Sequence, residues 1–173
     1  MSKIWGPKLW HLMHNISYSY KLKPSITEKN DYLNFYLSIY DLIPCPICKK
    51  FYGDFLLKID KNKLVFNKFT LINKINLLHN LVNKKLGKRI HYPKNIDYIC
   101  KLNKLIISEI LEIIYNSNQL NYYSLIKFFY YFIQVYPDYR KRLFLNKFYI
   151  NHYKVKSGAL IIKNELIRVI KLV

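Results

Sequence analysis

The sequence predicts an all-α fold, on three observations. Apolar residues recur every three or four positions through most of the chain, the period of a helix with one buried face. Only four glycines and six prolines occur among 173 residues, too few for the tight turns of a β-sandwich. The chain is 51% hydrophobic and 17% aromatic, enough to bury a core and unlike a disordered segment.

The elements follow in order. The first helix opens at Gly6-Pro7 and runs to about residue 20, with Trp10, His14 and Tyr18 in one stripe and Leu9, Leu12, Met13 and Ile16 beside them. Residues 21–29 form a polar connector in which Ser25 or Thr27 can cap the next helix, with Glu28 in its first turn. That helix spans 31–42, with Leu33, Tyr36, Leu37 and Tyr40 at core spacing, and Pro44 ends it. A third helix covers 45–59 through Phe51, Phe55 and Leu56. Residues 60–67 read as a loop, with Leu64-Val65-Phe66 as a short-strand option.

The fourth helix spans 69–86 and stops at Gly87, where a left-handed residue belongs. Leu71, Ile75, Leu78 and Val82 are its apolar set. A second stripe of Asn76, His79, Asn80 and Asn83 is unusual, because a solvated face more often carries Lys and Glu. Further helices are expected at 96–115, 122–136 and 138–148, then helix or short strands at 159–162 and 166–169. The polar joint Asn116-Ser117-Asn118 divides a domain at 1–115 from a C-terminal extension at 116–173. The run Phe128-Phe129-Tyr130-Tyr131-Phe132 reads as core, and Tyr139-Arg140-Lys141-Arg142 as an exposed basic helix start.

The net charge is +19, from 29 Lys+Arg against 10 Asp+Glu. The basic residues are spread along the chain rather than gathered in one block. The excess therefore reads as a compositional bias, and nucleic acid is not the expected partner. No apolar run is long enough to span a membrane, and residues 1–7 lack the pattern of a secretory leader. Three cysteines exclude a disulfide-stapled scaffold.

Cys45-Pro46-Ile47-Cys48 carries the chemistry. Pro46 suits the first helical position, which puts Cys45 at the cap and Cys48 in the first turn. Free N–H groups and the positive end of the helix favour a thiolate there. Half of a zinc site is a competing reading. It needs two more ligands, and Cys100, His79 and His91 show no zinc-like spacing, so no metal is expected. A thioredoxin-like motif needs a βαβ pattern that the flanking helices do not supply.

Three motifs in order resemble the Erv/ALR family of FAD-linked sulfhydryl oxidases, and they cover about residues 5–92. Trp5-Gly6-Pro7-Lys8-Leu9-Trp10 with Met13-His14 resembles its first-helix signature. Ile43-Pro44-Cys45-Pro46-Ile47-Cys48 is similar to its active-site motif, in a form close to that of large cytoplasmic DNA viruses. His79-Asn80-Leu81-Val82-Asn83-Lys84-Lys85-Leu86-Gly87-Lys88 resembles its H-N-x-V-N-x-x-L-G-K segment.

The resemblance implies a four-helix bundle around FAD with a short fifth helix, usually paired as a homodimer. It implies FAD contacts at Gly6, Pro7, Lys8, Leu9, Trp10, His14 and Tyr18, and at Asn76, His79, Asn80, Val82, Asn83, Lys84, Lys85 and Lys88. The lysines are placed to neutralise phosphates. It implies that a thiol-containing protein substrate, or a carrier with its own CxxC, reduces the Cys45–Cys48 disulfide at Cys45. Electrons then leave through Cys48 to FAD and on to O2, giving H2O2. The viral form implies action in the host cytoplasm or virion during virion assembly.

Two departures stand out. Many relatives tie the start of the H-N helix to the following segment by a second disulfide, but Asn76 holds the first position here and Cys100 lies too late. Cellular members also carry a shuttle disulfide, and this chain has no cysteines left for one. Cys100 is expected to be a buried thiol.

Overall fold

The computed structural model of the chain describes residues 2–94 and 122–153. The helix expected at 96–115, the joint at 116–118, Cys100 and the strand options at 159–169 lie outside the described residues. Every element among the described residues is a helix.

Helix α1 spans Ser2–Ser19 and begins before Gly6-Pro7, where the pattern placed its start. Pro7 lies inside it and removes one ladder bond near the helix end, a small loss at an exposed turn. Helix α2, Ile26–Leu42, starts five residues earlier than the spacing suggests because Ser25 builds a full capping box. The Glu28 N–H donates to Ser25 Oγ (3.2 Å) and the Ser25 N–H to Glu28 Oε2 (2.9 Å). Helix α3 is Pro46–Lys58.

A one-turn helix, α4 at Lys61–Leu64, replaces the expected loop or strand. Asp60 Oδ1 accepts the N–H groups of Asn62 and Lys63 and so nucleates the turn. Leu64 and Val65 are then buried under it. Helix α5, Lys68–Lys85, opens on a reciprocal cap between Asn67 and Thr70. It closes on Gly87, whose φ of 63° is open only to glycine without strain. The Lys88 N–H reaches back to the Asn83 carbonyl (2.9 Å) and the Gly87 N–H to that of Lys84 (3.3 Å), which completes the stop.

Helix α6, Tyr122–Val135, is followed by α7, Tyr139–Tyr153. Asp138 caps α7 through the N–H groups of Arg140 and Lys141. Arg142 folds inward rather than out to solvent. Its Nε and Nη2 donate to the Tyr136 carbonyl at 3.0 and 2.6 Å, a cation placed just beyond the negative end of α6.

Two packed pairs organise the core, α1 against α5 and α2 against α6. Met13, Ile16, Phe35, Ile39, Leu71, Ile75, Phe128 and Phe132 belong to one buried cluster, so α6 shares a core with the N-terminal helices. Tyr130 on the same helix is partly exposed. Tyrosine hydroxyls tie the layers together at backbone carbonyls. Tyr36 donates to Met13 O (2.8 Å), Tyr52 to Tyr36 O (2.8 Å) and Tyr20 to Val65 O (2.7 Å). Removing the Tyr36 or Tyr52 hydroxyl forfeits one buried hydrogen bond between helices, while the accepting carbonyl keeps its place in the helical ladder. Tyr36→Phe is therefore expected to lower stability by about 0.5–1.5 kcal/mol in urea unfolding; an unchanged midpoint would dismiss the tie as incidental.

Candidate functional site

The turn into α3 puts the cysteines where the residue pattern expects them. Pro46 takes the first helical position and Cys45 is the cap, its Sγ accepting the Cys48 N–H at 3.3 Å. The two form a disulfide, with Cα atoms 5.2 Å apart. Ile47 between them is 81% exposed, so the turn faces solvent on one side. On the other side Cys48 packs against the core.

That inner side opens into a cavity of about 530 Å³ between α1, α3 and α5. Cys48 lines it together with Ile43, Phe51 and Tyr52, whereas Cys45 does not. Gly6, Pro7, Leu9, Trp10, His14 and Tyr18 of α1 line it, as do His79, Val82, Asn83 and Lys85 of α5 and Lys88 beyond it. Lys8, Asn76, Asn80 and Lys84, grouped with these by the sequence motifs, are not in the lining. Helical geometry explains the split for α1, where stripe positions four apart share one wall.

The back wall is aromatic. The Trp10 and His79 rings stack at 4.2 Å and 10°. His14 Nε2 lies 2.9 Å from His79 Nδ1. His91 stacks over both imidazoles, at 4.6 Å from His14 and 4.7 Å from His79. His91 is the site residue that the motifs miss as a cavity wall, since it follows the last motif and sits in no periodic stripe. Ligating atoms of His14, His79 and His91 fall within 4.8 Å of one another; Cys45 and Cys48 are not in that group.

Burial holds these imidazoles neutral. It lowers His14 to about 3, with the neighbouring His91, His79, His11 and Lys94 adding repulsion, and His79 to about 4, helped by His91 and Lys88. His91 is also lowered, by burial and then Lys94. The unfolded chain, with histidines near 6.5, therefore takes up protons first as pH falls. Stability fully present above pH 6.5 is lost on the way down to about pH 3. His14 alone should give a slope approaching 1.4 kcal/mol per pH unit in that window. Urea midpoints from pH 7 to 4 measure it, and a flat profile would contradict neutral burial of His14.

The stripe of asparagines on α5 is explained by the chain that follows. Asn83 Nδ2 donates to Arg89 O (3.1 Å), and Asn80 exchanges two bonds with the His91 backbone (2.7 and 2.9 Å). Tyr18 OH donates to Lys94 O (2.9 Å), which carries the return segment across to α1. This segment closes one edge of the cavity and brings Lys88 and Lys94 to its rim beside Lys85. Lys85 also lies over the Phe51 ring, 4.3 Å from its centroid.

A flavin dinucleotide fits this donor set. It needs an apolar slot for flat rings, a few polar atoms at the ring edges, and cations at a pyrophosphate. The aromatic wall and the three rim lysines supply the first and last. Asn15 and Asn83 in the lining supply polar side chains for the second.

Comparison with known proteins agrees with this arrangement. A 30% identical stretch of 86 residues is shared with a protein named as a FAD-linked sulfhydryl oxidase in Invertebrate iridescent virus 3, covering 50% of this chain and 58% of that protein. Over 99 residues the chain is 29% identical to one so named in Acanthamoeba polyphaga mimivirus, covering 56% and 69%. Over 92 residues it is 29% identical to the FAD-linked sulfhydryl oxidase of African swine fever virus, covering 50% and 71%. The chain thus spans a little over half the length of the first of these relatives. The Erv1 / Alr family model matches residues 7–101, more than half of the chain. Those residues include most of the cavity lining, the Cys45–Cys48 turn and the return segment, and the chain belongs to the Erv1 / Alr family.

Proposed function

We propose that the protein is a FAD-dependent sulfhydryl oxidase that makes disulfides in protein thiols or in a CxxC carrier. One observation carries the reading: a solvent-facing disulfide has one of its two sulfurs in the wall of the cavity that suits a flavin. FAD, when bound, supplies a two-electron acceptor that O2 can reoxidise with release of H2O2.

The rest is done by the chain's own residues. A substrate thiolate attacks the exposed side of the disulfide at Cys45 and forms a mixed disulfide, releasing Cys48 as a thiolate. The positive end of α3 favours that anion in its first turn, while the Cys48 N–H bonds Cys45 Sγ. A second substrate thiol resolves the mixed disulfide at Cys45, so substrate leaves oxidised and two protons and two electrons are left behind. Trp10 and His79 would offer stacking surface to a flat ring, and Lys85, Lys88 and Lys94 would supply the cations for its phosphates. A substrate thiol, or the CxxC of a carrier protein, meets the disulfide at Cys45. The viral relatives support a role in the host cytoplasm or virion, and pairing of two copies belongs to the same proposal. No helix among the described residues is long and apolar enough to cross a membrane.

The test is the purified protein. It should be yellow or take up added FAD, and it should consume O2 and release H2O2 with dithiothreitol as donor. A folded protein that stays colourless in excess FAD would refute the reading.

A further inference from the structure

His91 is fixed more firmly than its place beyond a helix end requires. Asn80 bonds its backbone on both sides, through the His91 N–H to Asn80 Oδ1 at 2.7 Å and Asn80 Nδ2 to the His91 carbonyl at 2.9 Å. Asn76 Oδ1 then meets His91 Nδ1 at 2.8 Å. A carboxamide oxygen only accepts, so Nδ1 carries the proton and Nε2 is left as a lone-pair acceptor. Two asparagines thus set the backbone, the ring plane and the tautomer of one side chain in the cavity wall.

The orientation says what the ring meets. His91 lies at 30° to His14 and 28° to His79, and His79 at 10° to Trp10. These are stacked planes. Metal ligation instead requires in-plane lone pairs converging on one point, and His14 Nε2 and His79 Nδ1 already bond each other.

We propose that His91 is a further cofactor-contacting residue, which extends the Trp10–His79 stack to receive a planar heteroaromatic ring, and that Asn76 is its positioning residue. This rests on the flavin reading. FAD carries two such rings, and comparison with FMN distinguishes them.

Flavin fluorescence quenching measures affinity for apoprotein of the wild type, His91→Ala, His91→Phe and Asn76→Ala, with folding of each checked by circular dichroism. His91→Ala should bind FAD roughly 2- to 10-fold more weakly, the range of an aromatic stack. His91→Phe should return close to wild type, since it keeps the ring and loses only the Asn76 bond. An equal loss with FMN assigns the isoalloxazine, and a loss with FAD alone assigns the adenine. In 15N spectra the His91 Nδ1–H tautomer of the wild type should give way to a mixture in Asn76→Ala.

Wild-type FAD affinity in a folded His91→Ala variant would overturn the inference and leave the flavin reading standing. A wild type that binds no flavin would overturn both. Zn2+ binding to apoprotein that disappears in His91→Ala, with FAD affinity unchanged, would assign the three imidazoles to a metal instead.

Discussion

Cys48→Ser is expected to abolish oxygen consumption with dithiothreitol while leaving FAD uptake unchanged. Cys48 is the sulfur in the cavity wall, and Cys45 stands at the solvent-facing cap of α3. Without Cys48 no disulfide can form within the pair, and no thiol lines the cavity. The serine preserves size and the helix start, so loss of activity would not reflect loss of fold. Cys45 in this variant should still form a stable mixed disulfide with an oxidised small thiol, detectable by intact mass. Cys45→Ser should also lose activity yet form no such adduct at the outer position. Full turnover in Cys48→Ser would reject Cys48 as the electron donor.

Phe128→Ala carries the largest expected effect on stability. Phe128 is 0% exposed and packs against Phe35 of α2 and Phe132 of its own helix, with ring centroids 5.8 and 5.9 Å apart. Removing a buried phenylalanine ring costs about 3–5 kcal/mol when the site cannot collapse. Much of a small domain's stability would be lost, and unfolding should shift to far lower denaturant. Tyr130→Ala, at a partly exposed ring of the same helix that touches Tyr131 and Tyr149, is the comparison and should cost clearly less, roughly 1 kcal/mol. Similar effects from both would deny α6 its place in the core. We read 1–115 as the oxidase domain and 116–173 as an extension. On that reading α6 braces α2, and truncation ahead of it would uncover Phe35 to water.

Much of this was legible in the residues because the strongest signals are local. Pro46 and the Cys45–Cys48 spacing are enough to place a capped helix start. Gly87 is enough to stop α5. The Trp10–His14–Tyr18 stripe does line one wall, because residues four apart share a helix face. What was hidden is long-range. The α5 asparagines read as ligand-facing, yet Asn76 and Asn80 hold the returning chain, and nothing in their own spacing announces a partner eleven or fifteen residues ahead. His91, weighed in the sequence only as a zinc ligand, was missed as a cavity wall for the same reason. α4 was missed because one Asp60 carboxylate outweighed the β-propensity of the Leu64-Val65-Phe66 run. The early start of α2 shows a reciprocal cap extending a helix beyond its apolar pattern.

The bond from the Cys48 N–H to Cys45 Sγ ties backbone order to electron count. A disulfide sulfur is a weak acceptor, whereas the Cys45 thiolate, freed when the second substrate thiol resolves the mixed disulfide, is a charge-assisted one. Reduction of the pair should therefore tighten the first turn of α3 and not loosen it. By linkage, whatever the helix end adds to the thiolate is withdrawn from the disulfide. The cap thus biases the pair toward taking electrons from substrate, by ~30 mV for each ~1.4 kcal/mol of differential stabilisation. The Cys48 amide proton becomes a built-in gauge of oxidation state, exchanging with solvent more slowly when the pair is reduced.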